Sequence, residues 1–177
     1  MGTNRFLDLG DELLCRLAPL EPLDWRADRL SRSSLAARLA TGPAFALYVG
    51  HGRARGWSGY QAFRWCDVAA EPQCHPSGTV VALACDTLTR HRMVVPFGVR
   101  LVGTGRACAY LGVAASLPTT VAETLARVAA DCLVADAPRT VGDLLRAVDA
   151  RLVRDGEVAA RRALSGFRLV GSPLAPV

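Results

Sequence analysis

The stretch Ala46-Leu47-Tyr48-Val49-Gly50-His51-Gly52 decides the fold once it is set beside Val80-Val81-Ala82-Leu83-Ala84-Cys85-Asp86-Thr87. Each is a short apolar run bounded by turn residues, the pattern of a strand buried on both faces. One run ends at a histidine between two glycines, the other at a cysteine followed by small polar residues. In an open parallel sheet, chemistry collects at the carboxyl ends of the strands. The expectation is an imidazole and a thiol at one rim of one sheet.

Outward from these runs the chain alternates between helical and extended patterns. Phe6, Leu9, Leu13, Leu14 and Leu17 share one helical face, and Pro19 and Pro22 end that helix. Leu23 to Leu30 reads as a weak, short strand. Ser31 or Ser33 caps a helix carrying Leu35 and Leu39, closed by Gly42-Pro43. The strong strands cover 44–49 and 79–84. Gly50 to Gly59 reads as a loop, Tyr60 to Trp65 as a weak alternation, Asp67 as the start of a helical turn, and 71–78 as another loop. A helix starts at Pro96 or Phe97 and is closed by Gly103 and Gly105. A third strand covers 107–113. Pro118-Thr119 opens a long helix to about Val134, and Thr140 caps a helix with Val141, Leu144, Leu145, Val148 and Leu152 on one face. A helical stretch near 157–165 precedes the last strand, Phe167-Arg168-Leu169-Val170. Strands alternating with helices predict an α/β fold built on a mostly parallel sheet, in one domain over residues 1–177.

The 177 residues suffice for one core, and 51% of them are hydrophobic, which excludes a disordered chain. No apolar run approaches the roughly 20 residues of a membrane helix, so no membrane association is expected. The opening Met1-Gly2-Thr3-Asn4-Arg5 lacks a basic region followed by an apolar one, and the expected location is the cytoplasm. The net charge is +5 and every basic residue other than histidine is arginine. Those arginines are scattered, densest at Arg53/Arg55, Arg90/Arg92 and Arg161/Arg162, without the aromatic-interleaved stripe of a nucleic-acid binder. No nucleic-acid partner is expected. None of the six cysteines forms a C-x-x-C pair and their spacings match no common zinc pattern, so no metal and no disulfide framework is expected.

A thiol is a strong nucleophile as thiolate, and a neighbouring histidine raises the thiolate fraction and can protonate a leaving amine. Cys85 and His51 are the candidates for these roles. The backbone N–H groups of Gly52 and Cys85 are the candidate oxyanion donors. Trp57 reads either as a lid or as a hydrophobic anchor. Asp86 reads either as a partner that orients His51 or as a turn acceptor. The bland alternatives are a turn histidine and a buried structural thiol. Cys74-His75 is a poorer pair, because adjacent residues in an extended loop point apart. His91 reads as a solvated loop residue.

The pair "LYVGHG…W" and "VVALACDT" resembles the caspase-like clan of cysteine peptidases, most closely the bacterial CHAT proteins, with gingipain-like peptidases further off. The resemblance covers roughly residues 44–177. It implies a strand ending in a catalytic His, here His51, and a next core strand ending in the nucleophile, here Cys85. Trp57 and Gly59 resemble the Gly/Trp-rich loop after the histidine, and Tyr110-Leu111-Gly112 resembles the following core strand. Phe167 to Pro173 resembles a terminal Leu-Leu-Gly-Asp-Pro motif, with Ser172 in place of the Asp. Such proteins carry a further strand and helix ahead of the histidine strand, so the expectation is either that the first core strand is missing here or that the sequence starts too late to include it. The acid that some relatives hold two residues before the nucleophile is Leu83 in this chain. That weakens an expectation of cleavage after Arg or Lys, and Asp67 and Asp86 stand as the substitute pocket acids, with Trp57 a third substrate-binding candidate.

The resemblance implies a cofactor-free cysteine endopeptidase making limited cuts in a protein substrate, in bacterial signalling or defence, with a regulatory or sensor protein as a further partner. The competing expectation is a catalytically inactive caspase-like interaction module.

Overall fold

The computed structural model describes residues 2–72, 74–90 and 93–177. Along the chain run α1 (Gly2–Leu17), a 3-10 turn (Ala18–Leu20), α2 (Arg32–Ala40), β1 (Phe45–Val49), β2 (Gly52–Arg53) and β3 (Gly56–Trp57). A one-turn segment α3 (Gly59–Ala62), β4 (Phe63–Arg64), α4 (Trp65–Ala69), β5 (Ser77–Leu83) and α5 (Phe97–Gly103) follow. The chain closes with β6 (Ala107–Val113), α6 (Thr119–Ala135), α7 (Val141–Arg154), α8 (Val158–Leu164) and β7 (Phe167–Gly171). His91 and Arg92 lie outside the described residues.

The main sheet has the order β1-β5-β6-β7. β1, β5 and β6 are parallel and β7 closes the far edge antiparallel. β1 is the other edge and pairs only with β5 among the described residues. β5 is buried at every position, which explains its apolar run from Val80 to Leu83. Strand alternation divides its side chains between two cores. Val81 and Leu83, with Leu111 and Val113 of β6, face a cluster built from α1, α6, α7 and α8. Val80 and Ala82, with Tyr110 of β6, face a cluster built from α2, α4, α5 and the aromatic side chains that follow β1. Each fully buried Val or Leu contributes about 1.5–3 kcal/mol of transfer free energy.

The helices begin where their side chains can cap them. Ser31 Oγ accepts from the Ser34 N–H at 3.1 Å, so Ser31 rather than Ser33 caps α2. Thr140 Oγ1 accepts from the Asp143 N–H at 3.1 Å while Asp143 Oδ2 accepts from the Thr140 N–H at 3.2 Å, a reciprocal capping box on α7. α6 buries Ala122, Leu125, Ala126, Ala129 and Leu133, a stripe at helical spacing. α1 is tied to α6 by charge. Arg5 grips the buried Glu123, Arg127 Nε lies 2.9 Å from Glu12, and Arg16 reaches Asp131 at 2.7 Å.

Three expectations are corrected. Leu23 to Leu30 forms no strand: the N–H groups of Arg29 and Leu30 both donate to the Arg26 carbonyl, closing a turn, and Arg26 is held by Asp11 and Asp24. The loop expected from Gly50 to Gly59 contains β2 and β3, which join β4 in a three-stranded antiparallel ribbon. β5 runs 77–83 rather than 79–84, because Ser77 is already buried and donates to the Leu39 carbonyl at 3.3 Å. Ser172 takes over a turn role at the end of β7, its hydroxyl accepting from the Leu174 N–H at 3.1 Å.

Candidate active site

β1 and β5 are in register to their last residues, Val49 opposite Leu83. His51 and Cys85 each follow by two residues, so both leave the sheet at the same rim. The two turns touch through backbone. A Cβ built on Gly52 would lie 2.5 Å from the Cys85 carbonyl oxygen and 2.9 Å from the Ala84 Cβ. Glycine at 52 is therefore a requirement of close approach; neither Gly50 nor Gly52 has a positive φ. A Cβ on Gly50 would meet the Tyr48 hydroxyl at 2.8 Å.

The His51 turn is pinned by its carbonyl oxygen. Tyr48 Oη donates to it at 2.8 Å and the Ser58 N–H donates at 2.8 Å. Tyr48 in turn stacks on Trp57, with ring centroids 4.3 Å apart and planes 12° apart. Burial pushes the Tyr48 phenol well above its ordinary pKa, so it stays a hydrogen-bond donor throughout the accessible pH range. The Ser58–His51 bond also fixes the alternation along the ribbon. Gly52 and Trp57 then form a non-hydrogen-bonded pair, and the Gly52 N–H points away from β3.

The His51 side chain is exposed, and its ring packs edge-on against Phe6 of α1 at 5.3 Å. The Cys85 side chain is half-buried. Its Sγ accepts from the Leu117 N–H at 3.2 Å, faces the Leu117 carbonyl at 3.6 Å and lies 3.9 Å from Ser116 Oγ. Among the described residues, no hydrogen bond joins the His51 ring to Cys85 Sγ. The Cys85 N–H has no acceptor among them, whereas the next N–H, that of Asp86, is taken by the Ala115 carbonyl at 3.1 Å. The rim thus holds a thiol, an imidazole and two outward-facing amides on adjacent backbone turns, with the two side chains resting apart.

The other candidates are placed differently. Trp57 is 4% exposed, packs on Phe63 and Phe97 as well as Tyr48, and donates from its indole N–H to Tyr110 Oη at 3.4 Å. Its surroundings are those of an anchor, and they leave it no freedom to act as a lid. Asp67 is spent on the start of α4, where Oδ2 accepts from the Arg64 N–H at 2.7 Å. Asp86, with φ 59, accepts from the Thr89 hydroxyl at 2.8 Å, a turn role rather than a grip on His51. Tyr48, Ser58 and Leu117 were not singled out by sequence reading. Tyr48 sits inside the motif and reads there only as strand, while Leu117 is brought in by the β6–α6 connection. No group of three or more metal-ligating side chains occurs among the described residues. No helix among them is long and apolar enough to cross a membrane.

Residues 22–177 match the family model of peptidase family C25. The chain belongs to that family. C25 members are cysteine peptidases of the caspase-like clan. The CHAT proteins, which the motifs resemble most closely, are not what the family match identifies. Two solved structures share the fold. One, described as a protease, superposes with a TM-score of 0.63 at 16% identity over 79% of this chain and 37% of its own. The other, the complex of Porphyromonas gingivalis RgpB pro- and mature domains, gives 0.66 at 15% identity over 84% of this chain and 37% of its own. The chain thus spans just over a third of the length of each. No protein of curated function matches it. α1 lies outside the C25 match, so the ring that covers His51 comes from a segment beyond the family region.

Proposed function

We propose that the chain is a cysteine endopeptidase that uses a His51–Cys85 dyad. The supporting observation is the backbone contact between Gly52 and Cys85, which holds the two strand-end turns together beside an unpartnered Cys85 N–H. Cys85 Sγ, as thiolate, attacks the scissile carbonyl carbon and forms a C–S bond. The Cys85 and Gly52 N–H groups receive the developing oxyanion. His51 gives a proton to the leaving amine as the C–N bond breaks. Water, deprotonated by His51, then hydrolyses the thioester and returns the thiol. Formation of the dyad requires Cys85 Sγ to leave Leu117 and the His51 ring to leave Phe6 and turn toward the sulfur; catalytic hydrogen bonds are often long or unformed in a resting enzyme.

The substrate class is protein, and the mode is limited cleavage. A bacterial signalling or defence role, with a regulatory or sensor protein as partner, follows from the motif likeness to CHAT proteins alone. Labelling with a thiol-directed electrophilic peptide tests the dyad. Selective modification of Cys85, lost in Cys85→Ala and strongly slowed in His51→Ala, is expected. Indiscriminate labelling of the exposed Cys15, Cys66 and Cys108 alongside Cys85, unchanged by His51→Ala, would overturn it.

A second reading has its own observation. The thiol is engaged by Leu117, no hydrogen bond reaches it from His51, and β1 is left with an open edge among the described residues. An inactive interaction module of the same fold predicts no peptide-dependent labelling at all.

A further inference from the structure

The ribbon that pins His51 carries a second feature on its outer face. In antiparallel pairing, residues directly opposite share a face. Gly52, Trp57 and Phe63 form one row, turned toward the aromatic core. Arg53, Gly56 and Arg64 form the other, in direct register across three strands. Two arginines thus stand on either side of a glycine, with Cα atoms about 10 Å apart by strand spacing. Both line an open concavity of about 820 Å³, together with Arg55 from the hairpin turn. The glycine is obligatory: Gly56 has φ 150, and a Cβ there would lie 2.1 Å from the Phe63 carbonyl oxygen.

None of the three arginines makes an ion pair among the described residues. Asp67, three residues after Arg64, accepts from the Arg64 backbone N–H rather than from a guanidinium. A left-handed turn sets this arrangement. Tyr60, Gln61 and Ala62 have φ values of 54, 59 and 67, and this turn swings β4 back beside β3 so that Arg64 faces the same way as Arg53. Three consecutive non-glycine residues in that region are costly and persist only where the surroundings impose them. Here the buried Tyr60 and Phe63 rings and the Tyr60 hydroxyl bond to the Trp25 carbonyl do so.

We propose that Arg53, Arg55 and Arg64 form a subsite for an acidic segment of a peptide substrate. The reading rests on the peptidase assignment for the ligand being a peptide, since Arg53 directly follows the Gly52 amide at the rim. Arginine forks match carboxylates bidentately, and a cluster of unpaired guanidinium groups in a concavity draws acidic side chains more strongly than isolated surface charges do. Asp67 and Asp86, the aspartates expected to receive a basic side chain, each accept a local hydrogen bond and are absent from the lining of the concavity, whose charged side chains among the described residues are all arginine.

Binding is measured on the full chain carrying Cys85→Ala, so that it is read without turnover. The probes are a fluorescein-labelled glutamate-rich peptide, its glutamine counterpart of equal length, and a single-stranded oligonucleotide of matched charge. The glutamate peptide is expected to bind about tenfold or more tightly than the glutamine peptide. Arg53→Gln/Arg64→Gln is expected to remove that preference, while Arg32→Gln/Arg38→Gln on α2, the same change in net charge elsewhere, keeps it. Circular dichroism establishes that both double variants fold. Equal binding of the two peptides overturns the subsite, as does equal weakening by the α2 pair, or tighter binding of the oligonucleotide lost in the same Arg53/Arg64 variant. The outcomes separate from those of the dyad: glutamate preference without Cys85 labelling leaves the subsite standing and removes the peptidase, and labelling without preference does the reverse.

Discussion

The two strand-end turns at the rim are built in opposite ways. At His51 the backbone is fixed and the side chain is idle: two donors hold its carbonyl, while its ring makes no hydrogen bond among the described residues and only leans on Phe6. At Cys85 the side chain is held and the backbone amide is free: Leu117 grips the sulfur, and the N–H points at no acceptor. Each turn therefore lacks what the other has. A functioning dyad needs the fixed backbone of the first to carry the imidazole toward the sulfur of the second, and the free amide of the second to stay clear for a substrate oxygen. The contact that allows both is the bare Cα of Gly52 against the Cys85 carbonyl.

Breaking that contact has the largest expected effect. Gly52→Ala forces a Cβ to within 2.5 Å of a backbone oxygen, which no side-chain movement relieves. The turns must separate. The rate of Cys85 labelling by an electrophilic peptide should fall by about 10²-fold or more, since small displacements of reacting groups cost on that scale. Iodoacetamide, which needs no histidine and no oxyanion site, should still modify Cys85. A Gly52→Ala protein with the parental labelling rate would sever the turns' contact from function.

Tyr48→Phe sharpens the comparison on one side only. It removes one of two donors to the His51 carbonyl and leaves the aromatic stack in place. A buried hydrogen bond of this kind contributes about 1 kcal/mol net, so peptide-dependent labelling should slow by up to about tenfold with a comparable loss of stability in urea. Thiol accessibility to iodoacetamide should not change. A loss there would place Tyr48 in general support of the core rather than in the positioning of His51.

These two residues also show how far sequence carries. β5 is legible because a strand buried on both faces is largely apolar, here from Val80 to Leu83; β1 carries a similar apolar run although, at the edge of the sheet, four of its five residues are only half-buried; and the His and Cys that follow them share a rim by simple counting. The capping of α7 by Thr140 is legible for a similarly local reason. The ribbon is not. Two-residue strands leave no periodicity, and the glycine at 56 that reads as loop is demanded by the pairing of β3 with β4. Nor does any local signal announce that Tyr60, Gln61 and Ala62 turn left-handed, since their cost is met by burial elsewhere in the chain. Gly52 was legible as an oxyanion-donor candidate but not for its packing: the structure adds a close approach to the Cys85 carbonyl that sequence does not announce. The short run from Leu23 to Leu30 fails because its aspartates and arginines satisfy one another in a turn.

The smallest expected effect lies at the cover on the idle imidazole. Phe6→Ala removes the ring packed on His51 without touching the ion pairs that dock α1, and should raise peptide labelling of Cys85 a few-fold, as expected for releasing a single exposed aromatic contact worth about 0.5–1.5 kcal/mol. Acid provides the same release by another route. The Arg127 guanidinium holds the Glu12 carboxyl below its ordinary range, and Arg26 does so for Asp11. Groups with depressed folded-state values stabilise docking at pH above their unfolded values and lose that contribution as pH falls through the folded ones. α1 amides should therefore gain hydrogen-exchange rate, relative to the β5 amides and after correction for intrinsic exchange, as pH drops from about 5 toward 3. Asp11 is exposed and Glu12 only half-buried, so the shift should be modest and should shrink further in high salt. If α1 exchanges no faster than β5 at the acid end, charge does not hold the helix, and the Phe6 contact rests on the apolar seam of Leu9 and Leu13 alone.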